Sequence, residues 1–244
     1  SVTDFNGFLK KILAKNAVFP EDPLPTYRVH SFFRQVEGVW ACCNPTCEFV
    51  EPQYQYDSRR CGQLFSTPTL QCRCGSRVLE LLYCYECGEI SFGGFVQQTD
   101  DELTDEIFLC STSNSESIQS KTPIGQRKNA DYRWLWPNNL ASIPANYRSW
   151  QLGGARFSFT ACEFQNISGY LSHGQGDWVA LNYPQNFEMM PSVPTRCPSC
   201  LITRYNSSEN LNTGQIWSPI VSMGTGIDIS NKLDLSLLYF SNFF

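Results

Sequence analysis

The sequence predicts a mixed α+β fold: short N-terminal helices followed by β-hairpins and a small antiparallel β region. Three observations carry that expectation. Apolar residues recur at helical spacing near the N-terminus, the pattern then changes to short runs broken by turn residues, and twelve cysteines fall mostly in closely spaced groups. With 244 residues, 42% hydrophobic and 17% charged, the chain can bury a sizeable core and is too apolar for disorder throughout.

Residues 1–38 read as a helical lead-in. Phe5, Phe8, Leu9, Ile12 and Leu13 share one helical face behind Asp4 as N-cap, giving a helix to about Lys15. Val29, Phe32, Phe33 and Val36 form a second apolar face, and Pro20, Pro23 and Pro25 punctuate the connection. From Val39 the reading changes to strands over 62–66, 76–83, 89–96, 106–110, 155–162 and 177–183. Residues 97–131 carry seven Asp or Glu against three Lys or Arg, are rich in Ser, Thr and Gln, and read as an acidic linker or long loop. Tyr132, Trp134, Trp136, Trp150 and Trp178 lie in a second β-rich region over 132–215; lacking interleaved basic residues, they read as core rather than as a platform for bases. Residues 216–244 close the sequence as a further segment.

The cysteines stand at 42, 43, 47, 61, 72, 74, 84, 87, 110, 162, 197 and 200. Secreted disulfide frameworks belong to smaller chains that cannot build a core. The spacings point to metal instead. Cys84-Tyr-Glu-Cys87 and Cys197-Pro-Ser-Cys200 are Cys-x-x-Cys knuckles, Cys72-Arg-Cys74 is a shorter one, and Cys42 to Cys47 supplies a fourth. Each sets two thiolates on a tight turn within reach of one ion at about 2.3 Å. Gly75 and Gly88 follow two of the knuckles, where positive φ lets the backbone turn. Eight thiolates make two closed tetrahedral sites, so the sequence calls for two structural zinc ions on zinc-ribbon-like β-hairpins over 39–96, the second site closed from 132–215. The favoured pairing joins Cys42 and Cys47 with Cys72 and Cys74, and Cys84 and Cys87 with Cys197 and Cys200. Joining 72/74 with 84/87 is less comfortable, because the strand between them would part the knuckles by roughly 30 Å. Cys61 is the alternative ligand, and Cys110 and Cys162 read as small buried hydrophobes.

Catalysis finds no support in the residues. His30 and His173 are the two histidines, neither at ligand spacing, and the H-x-E with P-C-x-x-C pattern of zinc deaminases is missing. The phosphate-cradling G-x-x-x-x-G-K-[ST] loop and the G-x-S-x-G elbow are also missing, so no catalytic residue is assigned and no ATPase activity is expected of this chain alone. A net charge of −5 argues against a stand-alone nucleic-acid binder. No apolar run reaches membrane-spanning length, so no membrane partner is expected.

Tyr27-Arg-Val-His-Ser-Phe-Phe-Arg34, Glu37-Gly-Val-Trp-Ala-Cys42 and Asn44-Pro-Thr-Cys47, together with Cys72 through Glu89, Pro194 through Cys200 and Trp217 through Gly226, are distinctive in their combined order. That order resembles a cysteine-rich region of bacterial DEAD/DEAH-box helicases of superfamily 2, of the kind found in phage-defence systems such as DISARM and Druantia. The resemblance covers about residues 24–228, is patchy between 97 and 190, and departs at the extra Cys43, at Leu201 and beyond Gly226. It implies a cytoplasmic accessory piece of an ATP-dependent helicase, with motor lobes elsewhere in the parent chain and 216–244 leading into one of them. Nucleic acid, DNA or RNA, would then be contacted by Arg28, Arg34, Arg59, Arg60 and Arg77 as phosphate partners. The alternative is a docking or scaffold module that holds a partner subunit of a defence complex.

Overall fold

β3 (Val78–Cys84) is the axis of the fold, and its sequence explains why. Val-Leu-Glu-Leu-Leu-Tyr-Cys is apolar on both faces, as a strand covered on both sides must be, and all seven residues are buried. The computed structural model describes residues 38–98, 107–113, 124–152, 155–182, 190–206 and 220–222. β4 (Ile90–Gln98) pairs with one edge of β3 over Glu80–Tyr83. The other edge is shared end to end by β1 (Trp40–Cys42) and β11 (Ile220–Ser222). β2 (Leu64–Phe65) adds to the outside of β1.

β4 is long enough to serve two neighbours in succession, and this closes a barrel. Beyond its β3 contact it pairs with β5 (Ile107–Cys110), while its opposite edge pairs with β6 (Tyr132–Trp136) along Phe92–Phe95. β5 continues to β9 (Tyr170–His173), β9 to β8 (Ala155–Phe164), β8 to β10 (Trp178–Asn182), and β10 returns to β6. Six antiparallel strands thus form a closed ring, with β7 (Ser149–Leu152) laid along the start of β8. Closure pairs strand edges that would otherwise be open.

Alternation along the staves fills both faces. Phe92, Leu109, Leu135, Cys162, Phe164, Leu171 and Ala180 join Leu79 and Leu81 in one core cluster. Trp178 stands 5.7 Å from Phe92 and 5.2 Å from Phe164 between ring centroids, where edge-on aromatic packing is favourable. The opposite face of β6, β8 and β10 buries Tyr132, Trp134, Trp136, Phe157 and Phe159 under Ile143, Tyr147, Trp150 and Leu201. The aromatic run from Tyr132 to Trp150 is core.

The α+β expectation is overturned. The structure is mostly β, and among the described residues it has one α-helix, α1 (Pro198–Asn206), and a closed six-stranded barrel in place of a small antiparallel region. The expected helices at 4–15 and 28–36 lie outside the described residues. The six segments read as strands each coincide with a strand to within two residues; β1, β6, β7, β9 and β11 are additional. Within the acidic stretch 97–131, Ile107–Cys110 is a stave of the barrel and Arg127 lies in the core. Among the described residues no helix is long and apolar enough to cross a membrane.

A buried ion pair pins the outer layer to β3. Glu80 faces the side of the sheet opposite Leu79 and Leu81, where Arg127 forms a salt bridge with its carboxylate, both side chains 5% exposed. Tyr132 donates its hydroxyl to the same carboxylate at 2.7 Å. The Arg127 guanidinium lies over the rings of Tyr132 and Phe95, 4.6 and 5.4 Å from their centroids. Its backbone carbonyl accepts from Ser192 at 3.0 Å, so the pair also anchors the segment that leads into α1.

Candidate metal centres

The first cluster gathers Cys42, Cys47, Cys72 and Cys74. Cys42 ends β1. Asn44 folds the next residues back, its side-chain oxygen accepting from the Thr46 backbone at 2.9 Å and the Thr46 hydroxyl at 2.8 Å, an Asx turn that brings Cys47 around. Cys72 and Cys74 sit on a turn closed by Gly75 N–H to Cys72 O at 2.9 Å, and Gly75 has φ +85°. Sulfur separations are 3.5 Å for Cys42–Cys74 and 3.7 Å for Cys47–Cys72.

Gly62 stands hard against this cluster. A Cβ there would lie 2.5 Å from the Cys47 Cβ and 2.7 Å from the Asn44 carbonyl oxygen, while Gly62 N–H donates to Cys42 O at 2.8 Å. Both crowded neighbours belong to the knuckle and cannot retreat without moving a sulfur. Gly62→Ala is therefore expected to lower the metal content by about one equivalent per chain while the second cluster keeps its ion. Elemental analysis of the purified variant checks this; full content would show that the knuckle can give way.

The second cluster joins Cys84, Cys87, Cys197 and Cys200. Cys84 is the last residue of β3, and the turn after it closes through Gly88 N–H to Cys84 O at 2.9 Å and Cys84 N–H to Glu89 O at 2.8 Å, with Gly88 at φ +76°. Cys197 and Cys200 flank the start of α1, where Pro198 suits the first helical turn. Cys84–Cys200 and Cys87–Cys197 are each 3.7 Å between sulfurs. Every stave of the barrel lies between Cys87 and Cys197 in the sequence. The clusters sit at opposite ends of β3, whose seven residues set about 20 Å of strand between them.

The donor sets fit a metal ion. In each group the four sulfurs all lie within 4.8 Å of one another. A tetrahedron with metal–sulfur bonds of about 2.3 Å has edges of about 3.8 Å, matching separations that are much too long for disulfides. None of the twelve cysteines is in a disulfide. In the first cluster burial pushes Cys42 well up and Cys72 up to about 12. Burial also acts on Cys74, but hydrogen bonds with Ser76 outweigh it and bring that thiol down to about 7. In the second, hydrogen bonds from Cys197 and Cys200 hold Cys84 well below the usual thiol range and Cys87 at about 7. Cys197 is pushed well up by its sulfur neighbours, and so is Cys200, where the pull of Cys197 is outweighed by Cys84 and Cys87. A divalent cation bound between them would let all four sulfurs of a cluster ionise together.

The remaining cysteines stand apart. Cys43, Cys61 and Cys162 belong to the apolar core, and burial pushes Cys61 and Cys162 up to about 12 and Cys43 well above the usual thiol range. Cys110 is buried and also raised. The candidate phosphate contacts are engaged within the fold. Both Arg59 guanidinium NH groups reach Cys47 O at 3.4 Å, Arg60 pairs with Glu89, and Arg77 donates to Ser168 O at 2.9 Å. Arg28 and Arg34 lie outside the described residues. Two features escape the sequence reading. Glu89 accepts from Trp136 at 2.8 Å as well as pairing with Arg60, and nothing local marks it. Glu80 does leave a mark, an acid inside an otherwise apolar strand.

The YjiV N-terminal domain family matches residues 64–215, well over half of the chain. The chain belongs to that family. The matched span takes in the whole barrel, the complete second cluster, Cys72 and Cys74; Cys42 and Cys47 lie just before it. Druantia protein DruE from Escherichia coli (strain UMEA 4076-1) is similar as well, 34% identical over 80 residues. That stretch is 32% of this YjiV N-terminal domain protein and 4% of DruE, so the two share one small segment. No solved structure matches the chain.

Proposed function

We propose that this YjiV N-terminal domain chain is a zinc-braced module of a larger bacterial phage-defence protein, a scaffold that docks or braces neighbouring parts. The observation that carries the reading is the pair of all-cysteine clusters at the two ends of β3. Four protein sulfurs complete a tetrahedron and leave no position for water or substrate, which is the pattern of structural zinc. Sulfur-only tetrahedral sets suit zinc, and reduced thiols suit the cytoplasm. The likeness to DruE supports the defence setting. The resemblance of the cysteine-rich order to DEAD/DEAH-box helicases extends it to a motor carried elsewhere in the parent chain.

Docking is favoured over nucleic-acid handling because Arg59, Arg60 and Arg77 each contact a group within the fold and the net charge is −5. The helicase resemblance supports the second reading, an accessory that steers DNA beside the motor. A salt titration of DNA binding separates them. The expected result is two zinc ions per chain and no appreciable binding even at low salt. Measurable affinity falling with a log–log salt slope of about −3 or steeper would transfer the assignment to nucleic-acid handling.

A further inference from the structure

The two clusters differ in how they meet solvent. Cys42, Cys47 and Cys72 are buried and Cys74 is half-buried; in the second cluster Cys84, Cys197 and Cys200 are buried, but Cys87 is exposed. Cys87 lies on the turn between β3 and β4, flanked by the exposed Tyr85 and Glu86. Its sulfur is 3.7 Å from that of Cys197, the residue that opens α1. A solvent-facing thiolate with a second thiolate beside it is the arrangement in which a peroxide is reduced and the resulting sulfenic acid is captured.

We infer that Cys87 is an oxidation site, and that hydrogen peroxide converts the second cluster from a metal clasp to a Cys87–Cys197 disulfide while the first cluster stays intact. The inference rests on the metal-binding reading above. The Cys87 thiolate attacks the O–O bond, an S–O bond forms, and hydroxide leaves as water after protonation. The Cys197 thiolate then attacks that sulfur, the S–S bond forms, the S–O bond breaks and a second water departs. Two sulfurs supply the two electrons that reduce the peroxide. With two of its four thiolates consumed, the cluster no longer holds an ion.

Cys197 is the favoured resolving partner over Cys84. Cys84 is fixed by the β3–β11 ladder and by the backbone bonds that close its own turn, whereas the Cys197 sulfur stands 3.7 Å from that of Cys87 on a separate segment. A bridge to Cys197 crosses 110 residues of sequence and constrains the unfolded chain far more than one spanning four residues. The same two segments therefore stay joined after the ion leaves. Oxidation changes the chemistry of the clasp without opening it.

The test uses the full chain loaded with zinc and exposed to hydrogen peroxide. Released metal is followed with a chromogenic chelator, and disulfides are located by peptide mapping without reduction. Metal analysis before peroxide decides the underlying reading separately: fewer than two equivalents would overturn that reading, whereas two equivalents leave the oxidation order as the sole question. The expected course is release of one equivalent about tenfold faster than the other, together with a Cys87–Cys197 link and a fully reduced first cluster. Simultaneous release, earlier loss from the first cluster, or a Cys84–Cys87 link would overturn the inference. Because Cys87→Ser can forfeit the ion outright, Cys87→His is the second variant. Imidazole remains a zinc ligand but forms no disulfide, so this variant is expected to retain two equivalents and resist peroxide, and unchanged release from it would also count against Cys87.

Discussion

On the proposed zinc reading, replacing Cys197 with Ser is expected to leave the chain with about one metal equivalent in place of two and to lower its thermal midpoint by about 10 °C or more. The size follows from what structural zinc contributes, about 10–16 kcal/mol in small zinc peptides, against a net domain stability of about 5–15 kcal/mol. The location follows from the fold. Cys197 is held to β3 through Cys84 and Cys87, and α1 has nine residues, too few to persist alone. Loss of the ion should free α1 first, with Leu201 leaving its place in the outer core. The first cluster shares no ligand with the second and should keep its metal. Elemental analysis with hydrogen exchange of residues 197–206 is the check, and loss of both ions together would show that the clusters are cooperative.

The second large effect is expected at Arg127. Arg127→Ala strands the Glu80 carboxylate in the core with only the Tyr132 hydroxyl that already bonds it, and removal of one partner from a buried pair costs about 3–5 kcal/mol. Replacing both partners with apolar residues of similar bulk, Glu80→Leu with Arg127→Met, should restore most of the loss, because neither charge is then buried alone. Urea midpoints for the wild type, Glu80→Leu, Arg127→Met and the double variant form a complete cycle, with Arg127→Ala measured beside them. If the double variant is as weak as Arg127→Ala, the cost lies in lost packing over Phe95 and Tyr132 rather than in the orphaned carboxylate.

Local chemistry is legible in this sequence, and long-range closure is not. The knuckles announce themselves because tight turns need close cysteine spacing and, at Gly75 and Gly88, a residue that accepts positive φ. The eight cysteines singled out by that spacing are the eight that the structure gathers. Strand periodicity reveals β3, β4 and β8 as separate runs, but nothing in Phe92–Phe95 says that these residues pair with Tyr132–Trp136, or in Ile107 that it faces Leu171. β6 is obscured further because it is buried on both faces and shows no alternation. α1 hides inside Cys-Pro-Ser-Cys, which reads as a turn because its helical character depends on burial of Leu201 and on the cluster at its start. Arg127 is invisible for a related reason. It sits in an acidic, polar stretch, and its role depends on Glu80, 47 residues earlier.

The placement of the barrel between Cys87 and Cys197 has a mechanical consequence. With those two residues held on one ion, tension entering the chain at β1 and leaving at β11 runs through the β3 ladder and across the metal–sulfur bonds, bypassing the intervening residues. The six-stranded ring lies beside that short path, joined to it through the β3–β4 pairing. If the proposed scaffold role holds, a pull between neighbouring parts would pass mainly along β3 for as long as the second cluster stays joined.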